Sequence, residues 1–138
     1  MANYNGVGRT NYFRVADEER YAWLYGGLSS EDVIDITETD SEGNIRHGFA
    51  IYGSLDWVDP DEEEPECNLD YFLDEIQKIM PEDEAFIYVE SGHEKIRYIT
   101  GFAFVITKNQ IDCFDLNKLA VDKAIENTGN SHVTVPEY

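Results

Sequence analysis

The stretch Glu84–Lys108 reads EAFIYVESGHEKIRYITGFAFVITK. Two runs rich in β-branched and aromatic residues are separated by Ser91-Gly92-His93, which predicts a β-hairpin whose arms are the central strands of a sheet. Downstream, QIDCFDL (110–116) adds a short edge strand. LNKLAVDKAIENTG (116–129) closes as a helix with Asp115 as its cap and Gly129 as its stop. Upstream, NLDYFLDEIQKIMP (68–81) is the clearest helix: Leu69, Phe72, Leu73, Ile76, Ile79 and Met80 fall on one apolar face, and Pro81 follows its end. Asp70, Asp74 and Glu75 are assigned to its outer face. Asp32–Gly53 reads as a first hairpin turning through DSEGN. TNYFRV (10–15) has strand composition, and ADEERYAWLYGGL after it reads as a helix stopped by Gly26-Gly27. The tail SHVTVPEY is too short to assign. The order β-α-β-β-α-β-β-(β)-α predicts an α+β fold: a mostly antiparallel sheet with helices packed on one face and ferredoxin-like character.

With 138 residues, 42% of them hydrophobic, the chain suits a single domain spanning 1–138. It has no run of eighteen apolar residues, and its start, MANYNGVGRTNYF, lacks the basic and apolar regions of a signal peptide. A soluble, cytoplasmic protein is expected. Cys67 and Cys113 fit no metal or redox spacing and are read as reduced structural residues.

The net charge of −19 is concentrated. Residues 56–94 hold fifteen carboxylates and one basic side chain, whereas residues 95–138 hold five of each. From His47 to Gln77 there are ten carboxylates and no Lys or Arg, with DPDEEEPE (59–66) as the densest part of an acidic loop at 56–67. Such a single-sign field steers partners of opposite sign and repels nucleic acid and anionic membranes. Direct DNA or RNA binding is excluded on this reading, because phosphate contacts need clustered Lys and Arg.

Motifs for chemistry are few. Glu38–Gly43 alternates acids before a glycine as a calcium loop does, but Phe49 stands where the bidentate Glu is required, so a hairpin turn is preferred. DPDEEEPE lacks ordered ligand spacing. His93-Glu94 fails HExxH because position 97 is Arg, and Glu94, Lys95 and Arg97 are read as solvated or paired across strands. There is no P-loop, GxGxxG or GxSxG, and NGVG is too short for a phosphate loop. No cofactor, no metal and no enzymatic activity are expected.

The acids instead suggest an interaction surface. Asp56, Asp59, Asp61, Glu62, Glu63, Glu64 and Glu66 run into the helix bearing Asp70, Asp74 and Glu75, giving one continuous negative face. Trp57, with Tyr52 and Tyr71, is expected to supply aromatic anchors beside it. The expected partner is a basic DNA- or RNA-handling protein, a nuclease or defence complex, whose groove the acids occupy. Two readings compete: a disordered solubilising loop, and an accessory or regulatory domain acting through the hairpin at 91–98 on a small ligand.

TNYFRVADEERY and FIYVESGHEKIRYITGFAFVI together resemble a family of small acidic proteins from plasmids, phages and conjugative elements of Gram-positive bacteria. Its members share an NYFRV block and an E-x-G-x-EK-[IL]-RY-x-x-G pattern, here Glu90 to Gly101. The resemblance covers most of the chain, the acidic middle being the family's most variable part, and brings no catalytic residues with it. It implies a mobile-element setting and an anti-defence role as a DNA mimic, such as antirestriction or anti-CRISPR. On that reading the shared blocks are scaffold: Tyr12, Phe13, Tyr98 and Phe102 as core, with Gly92 and Gly101 as backbone requirements.

Overall fold

A computed structural model describes residues 4–30 and 32–137. Its elements in chain order are β1 (Asn5–Thr10), α1 (Glu18–Gly26), β2 (Asp32–Asp35), β3 (Glu38–Thr39), β4 (Ile45–Arg46), β5 (Phe49–Tyr52), α2 (Leu69–Lys78), β6 (Phe86–Glu94), β7 (Tyr98–Thr107), β8 (Gln110–Asp115) and α3 (Leu116–Thr128). Six strands form one sheet in the order β2-β5-β1-β6-β7-β8, every neighbour antiparallel. The fold is α+β. Its first half, β1-α1-β2-β5-α2-β6 with strand order β2-β5-β1-β6, is the split βαβ arrangement of ferredoxin-like folds. β7 and β8 extend it as a meander, and β3 and β4 form a small ribbon that continues the first hairpin.

The expected packing of helices on one sheet face holds for α1 and α2. Tyr21 and Leu24 of α1 and Phe72, Leu73 and Ile76 of α2 are buried with Phe49, Ile51, Phe86, Tyr88 and Ile106, which share one face of the pleat. Phe86 sits at the centre, its ring 5.1 Å from that of Phe13, 6.2 Å from Phe49 and 6.4 Å from Phe72. α3 begins on the opposite face, where Leu116 rests against Gly101, and none of its side chains is fully buried. The helix ends follow the sequence: Asp17, Asn68 and Asp115 cap α1, α2 and α3, and Gly129 ends α3 at φ 70°.

Four expectations are corrected. The first strand is NGVGRT (5–10), not TNYFRV; in the latter only Phe13 forms an isolated bridge, to His47. Gly6 and Gly8 turn to the core side of β1, where the Tyr4 ring and the Tyr88 hydroxyl occupy the space a side chain would need. A poor strand composition is thus imposed by aromatic neighbours lying over the backbone. The second hairpin turns at Lys95-Ile96-Arg97, with Lys95 in the left-handed region at φ 48°, and not at Ser91-Gly92-His93, which lies inside β6. Gly92 is needed because the Tyr4 ring lies directly over it. Of the residues assigned to scaffold, Phe13 is fully buried, while Tyr12, Tyr98 and Phe102 are half-buried. The cysteines are not structural core residues either: both are free and exposed.

One polar group lies inside this core. Glu90 is fully buried, and its two oxygens accept from four donors: Tyr88 OH at 2.7 Å and Leu55 N at 2.9 Å on Oε1, Tyr4 OH at 2.9 Å and Ser54 Oγ at 3.2 Å on Oε2. Four donors fill the acceptor capacity of a carboxylate, which makes the burial tolerable. Glu90→Ala strands several buried donors at once and is expected to lower unfolding stability by about 3 kcal/mol or more, with Tyr4→Phe at the exposed rim losing about 1 kcal/mol, both measured by urea titration.

Burial first, then the hydrogen bond to Glu90, pushes the Tyr88 phenol well above the ordinary tyrosine value, and burial does the same for Tyr21. A raised folded value means that stability is retained below the unfolded value of about 10 and is lost as pH rises beyond it. Absorbance at 295 nm during alkaline titration should therefore show these two phenols ionising only together with loss of the far-UV circular dichroism signal.

Candidate partner-binding surface

The acidic loop leaves β5 at Gly53 and reaches α2 at Leu69. Ser54 and Leu55 are held by Glu90, and the segment beyond them is held by Trp57. The Trp57 indole is buried, donates through Nε1 to Leu24 O at 2.7 Å, and packs 5.5 Å from the Trp23 ring and 5.1 Å from the Tyr71 ring. Gly27 is required beside it, since a Cβ there would meet both the indole and Val58 O. The backbone of the loop is pinned from both sides: Ser29 N to Asp56 O at 3.1 Å, Val58 N to Gly27 O at 2.9 Å, and Asn68 N to Trp57 O at 2.7 Å. Within DPDEEEPE, Asp59 accepts from Asp61 N at 2.8 Å, and Asp61 accepts from Trp23 Nε1 at 3.0 Å. The segment is thus tied onto α1 and α2 from Asp56 to Asp61 and again at Asn68.

Seven of the eleven residues assigned to partner binding are exposed: Asp61, Glu62, Glu63, Glu64, Glu66, Asp70 and Asp74. Asp56 and Asp59 are half-buried and shape the loop through hydrogen bonds to backbone amides. Asp59, Glu62, Glu64 and Glu66 line a groove of about 480 Å³ whose remaining wall is Trp57, Cys67, Asn68 and Tyr71. No ion pair joins Glu62, Glu63, Glu64, Glu66, Asp70 or Asp74 to a described residue. The Cys67 thiol is held above its ordinary value by its hydrogen bond to Asp56, with burial adding to this, which leaves it a poor nucleophile.

Two members of the set do not reach the surface as expected. Trp57 is core, so it is a wedge beneath the acids and not an anchor for a partner. Glu75 is buried and points toward α1, where its Oε1 meets Arg20 at 3.1 Å and its Oε2 meets Lys78 at 3.5 Å. In α2 the apolar stripe is wide enough to include position 75, between Phe72 and Ile76, and Arg20 supplies the charge that makes the position acceptable. Tyr52 lies on the opposite side of the sheet, beside Val7 and Val89. Of the three aromatics expected beside the acids, Tyr71 alone is half-buried at the groove wall next to them.

Residues the sequence left unremarked hold the surface together. Arg20 bonds Tyr71 OH at 2.7 Å and Glu75 at 3.1 Å, and its guanidinium lies 4.3 Å from the Trp23 ring centroid. Trp23 in turn donates to Asp61. The chain Glu75, Arg20, Trp23, Asp61 therefore runs from α2 through α1 to the loop.

Elsewhere, Asp40 accepts from Glu42 N, Asn44 N and Asn44 Nδ2, so the loop at 38–43 is a hairpin turn with Gly43 at φ 85°. The hydrogen bonds from Asn44 hold the Asp40 carboxyl below its ordinary value. Among the described residues, no group of three or more His, Cys, Asp or Glu is placed to hold a metal ion. No described helix is long and apolar enough to cross a membrane. The hairpin at 91–98 borders an open groove of about 1030 Å³ lined by Tyr4, Tyr52, Ser91, Gly92, His93 and Lys95, among others.

Compared with protein-family models, curated proteins and solved structures, this chain finds no match.

Burial pushes the Glu75 carboxyl up, but hydrogen bonds from Tyr71 and Arg20 and the charges of Lys78 and Arg20 outweigh it, leaving a net depression. A depressed folded value means stabilisation that is present above the unfolded value of about 4.3 and is lost as pH falls through the folded one. Glu75→Gln should therefore flatten the acid limb of stability against pH below about 4.3, read by thermal melts from neutral pH downward.

Proposed function

We propose that the protein is an acidic interaction protein that binds a positively charged nucleic-acid-handling protein, a nuclease or defence complex, and occupies its DNA or RNA groove. The observation that carries this reading is the pinned loop: seven exposed carboxylates on one loop and helix, no cation among them, on a backbone fixed by Trp57. A flexible solubilising loop would need none of these anchors. Duplex DNA offers a basic groove about one charge per 1.7 Å of axis, and a fixed run of carboxylates competes for such a groove without a large ordering cost. Asp70 and Asp74, neighbours at i,i+4, repel by a few tenths of a kcal/mol in a helix, so stability alone would not choose them.

The proposed setting is a bacterial cytoplasm and an anti-defence role of the antirestriction or anti-CRISPR kind, in keeping with the resemblance to acidic mobile-element proteins. The same field argues against direct contact with nucleic acid or an anionic membrane. A second reading, an accessory domain that binds a small ligand at the hairpin 91–98, draws support from the open groove beside His93 and Lys95.

Immobilised protein incubated with bacterial lysate at low salt is expected to retain a DNA-handling protein that duplex DNA displaces. Glu62→Lys, Glu63→Lys and Glu64→Lys combined should abolish that retention. Raising salt should weaken it steeply, because exposed charges are screened over about 8 Å at physiological ionic strength. Retention indifferent to charge reversal and to salt would overturn the mimic reading and leave the hairpin as the site to pursue.

A further inference from the structure

Carboxylates outnumber Lys and Arg by 29 to 10 in this chain, so a cation without a carboxylate partner is the exception. Most of the ten stand in ion pairs. Arg9, Arg46 and Lys95 are joined to no described carboxylate, and Arg46 faces Glu38 across the small ribbon. Arg9 and Lys95 instead line two grooves that adjoin on the sheet and share Val7, Tyr52 and Ser91. The larger, of about 1030 Å³, joins His93 to Lys95. Neither groove has a carboxylate among its described lining residues. The acids on that side of the sheet stand apart from both: Asp122 and Glu126 are paired with Lys118 and Lys123 of their own helix, and Asp32 is on the edge strand β2.

Folding alone does not account for the residue at position 95. Lys95 opens the turn Lys95-Ile96-Arg97 at φ 48°, a left-handed conformation that Gly adopts without strain and Asn tolerates. Turn stability would favour either of those, whereas Lys places a cation at the groove. His93 Nδ1 donates to Lys95 O at 3.2 Å, tying the strand end to the turn. Beside this pair, Val7, Tyr52 and Ile99 are each more than half exposed and form an apolar floor.

We infer that the larger groove binds a small organic anion built on a flat ring, its negative group held by Lys95 and His93 and its ring laid on Tyr52 and Val7. Phosphate and carboxylate share the chemistry required, a compact group of charged oxygen acceptors, and the exposed Tyr52 ring offers a flat partner for stacking. Arg9 adds positive potential from the adjoining groove. The acidic loop lies over α1 and α2, on the other side of the sheet, and exposed charges are screened over about 8 Å at physiological ionic strength. This inference deepens the small-ligand reading of the hairpin and rests on it; it is independent of the acidic surface.

The test is a titration of isotope-labelled protein with phenyl phosphate, phenol and inorganic phosphate, followed by amide chemical shifts. Saturable shifts at Val7, Tyr52, Ser91, His93 and Lys95 are expected with phenyl phosphate, with an affinity about tenfold or more above that of either fragment. Lys95→Gly removes the cation and suits the backbone, so it should leave the thermal midpoint unchanged or higher while weakening phenyl phosphate about tenfold. Lys95→Arg should retain binding, and Glu62→Lys on the acidic loop should leave it unmoved. Should Lys95→Gly lower the midpoint, Lys95→Gln keeps the stem without the charge and should weaken binding alike. Phenol binding as well as phenyl phosphate at these amides would overturn the anion assignment and leave a ligand groove at the hairpin. Absence of shifts there with every probe up to about 10 mM would overturn both. Binding indifferent to Lys95→Gly and Lys95→Gln, or lost equally in Lys95→Arg, would also overturn the inference.

Discussion

The buried carboxylate of Glu90 is the constraint on which the rest of the structure depends. It draws together three parts of the chain that are remote in sequence: the approach to β1 through Tyr4, the exit from β5 through Ser54 and Leu55, and the middle of β6 through Tyr88. Each donor is itself a device for something else. Tyr4 lies over Gly6 and Gly92 and so sets the two strands it crosses, and Tyr88 lies over Gly8. Leu55 N is the last bond before the acidic loop departs. A buried charge without its donors costs several kcal/mol, so the loop's starting point is fixed by the same group that aligns the sheet.

From that origin the chain separates its charge. The carboxylates of 56–74 are carried over the helical layer, and the far face of the sheet is left without them in its central strands. The acidic half of this distribution does not follow from foldability, because a repulsive pair such as Asp70 and Asp74 is a cost to an isolated helix.

Much of this could be read in the sequence, and the failures share a cause. The α2 stripe, the Asp115 cap, the Gly129 stop and the long strands of β6 and β7 follow from periodicity and local chemistry, which act over a few residues. Composition misplaced β1, because Gly6 and Gly8 are poor strand residues unless an aromatic from elsewhere covers them, and that cover comes from Tyr4 and from Tyr88, far along the chain. Glycine as a turn signal misplaced the second hairpin for the same reason. The inward position of Glu90 was nonetheless written in the alternation Phe86, Tyr88, Glu90, Gly92, where a carboxylate takes a core parity. Glu75 was less legible, since its burial requires Arg20, fifty-five residues away.

The candidate surface illustrates a further asymmetry: charge is visible in sequence, but its rigidity is not. A run such as DPDEEEPE reads equally as disordered or as shaped, because like charges alone favour expansion. What decides between them is Trp57, whose indole gives up exposure to fill the gap between α1 and α2, and the Arg20 guanidinium that stacks on Trp23 while that indole bonds Asp61. Burying Trp57 removes that ring as a contact surface. In exchange the carboxylates from Asp56 to Asp61 are held against the helical layer, and the cost of ordering that part of the surface has been met during folding.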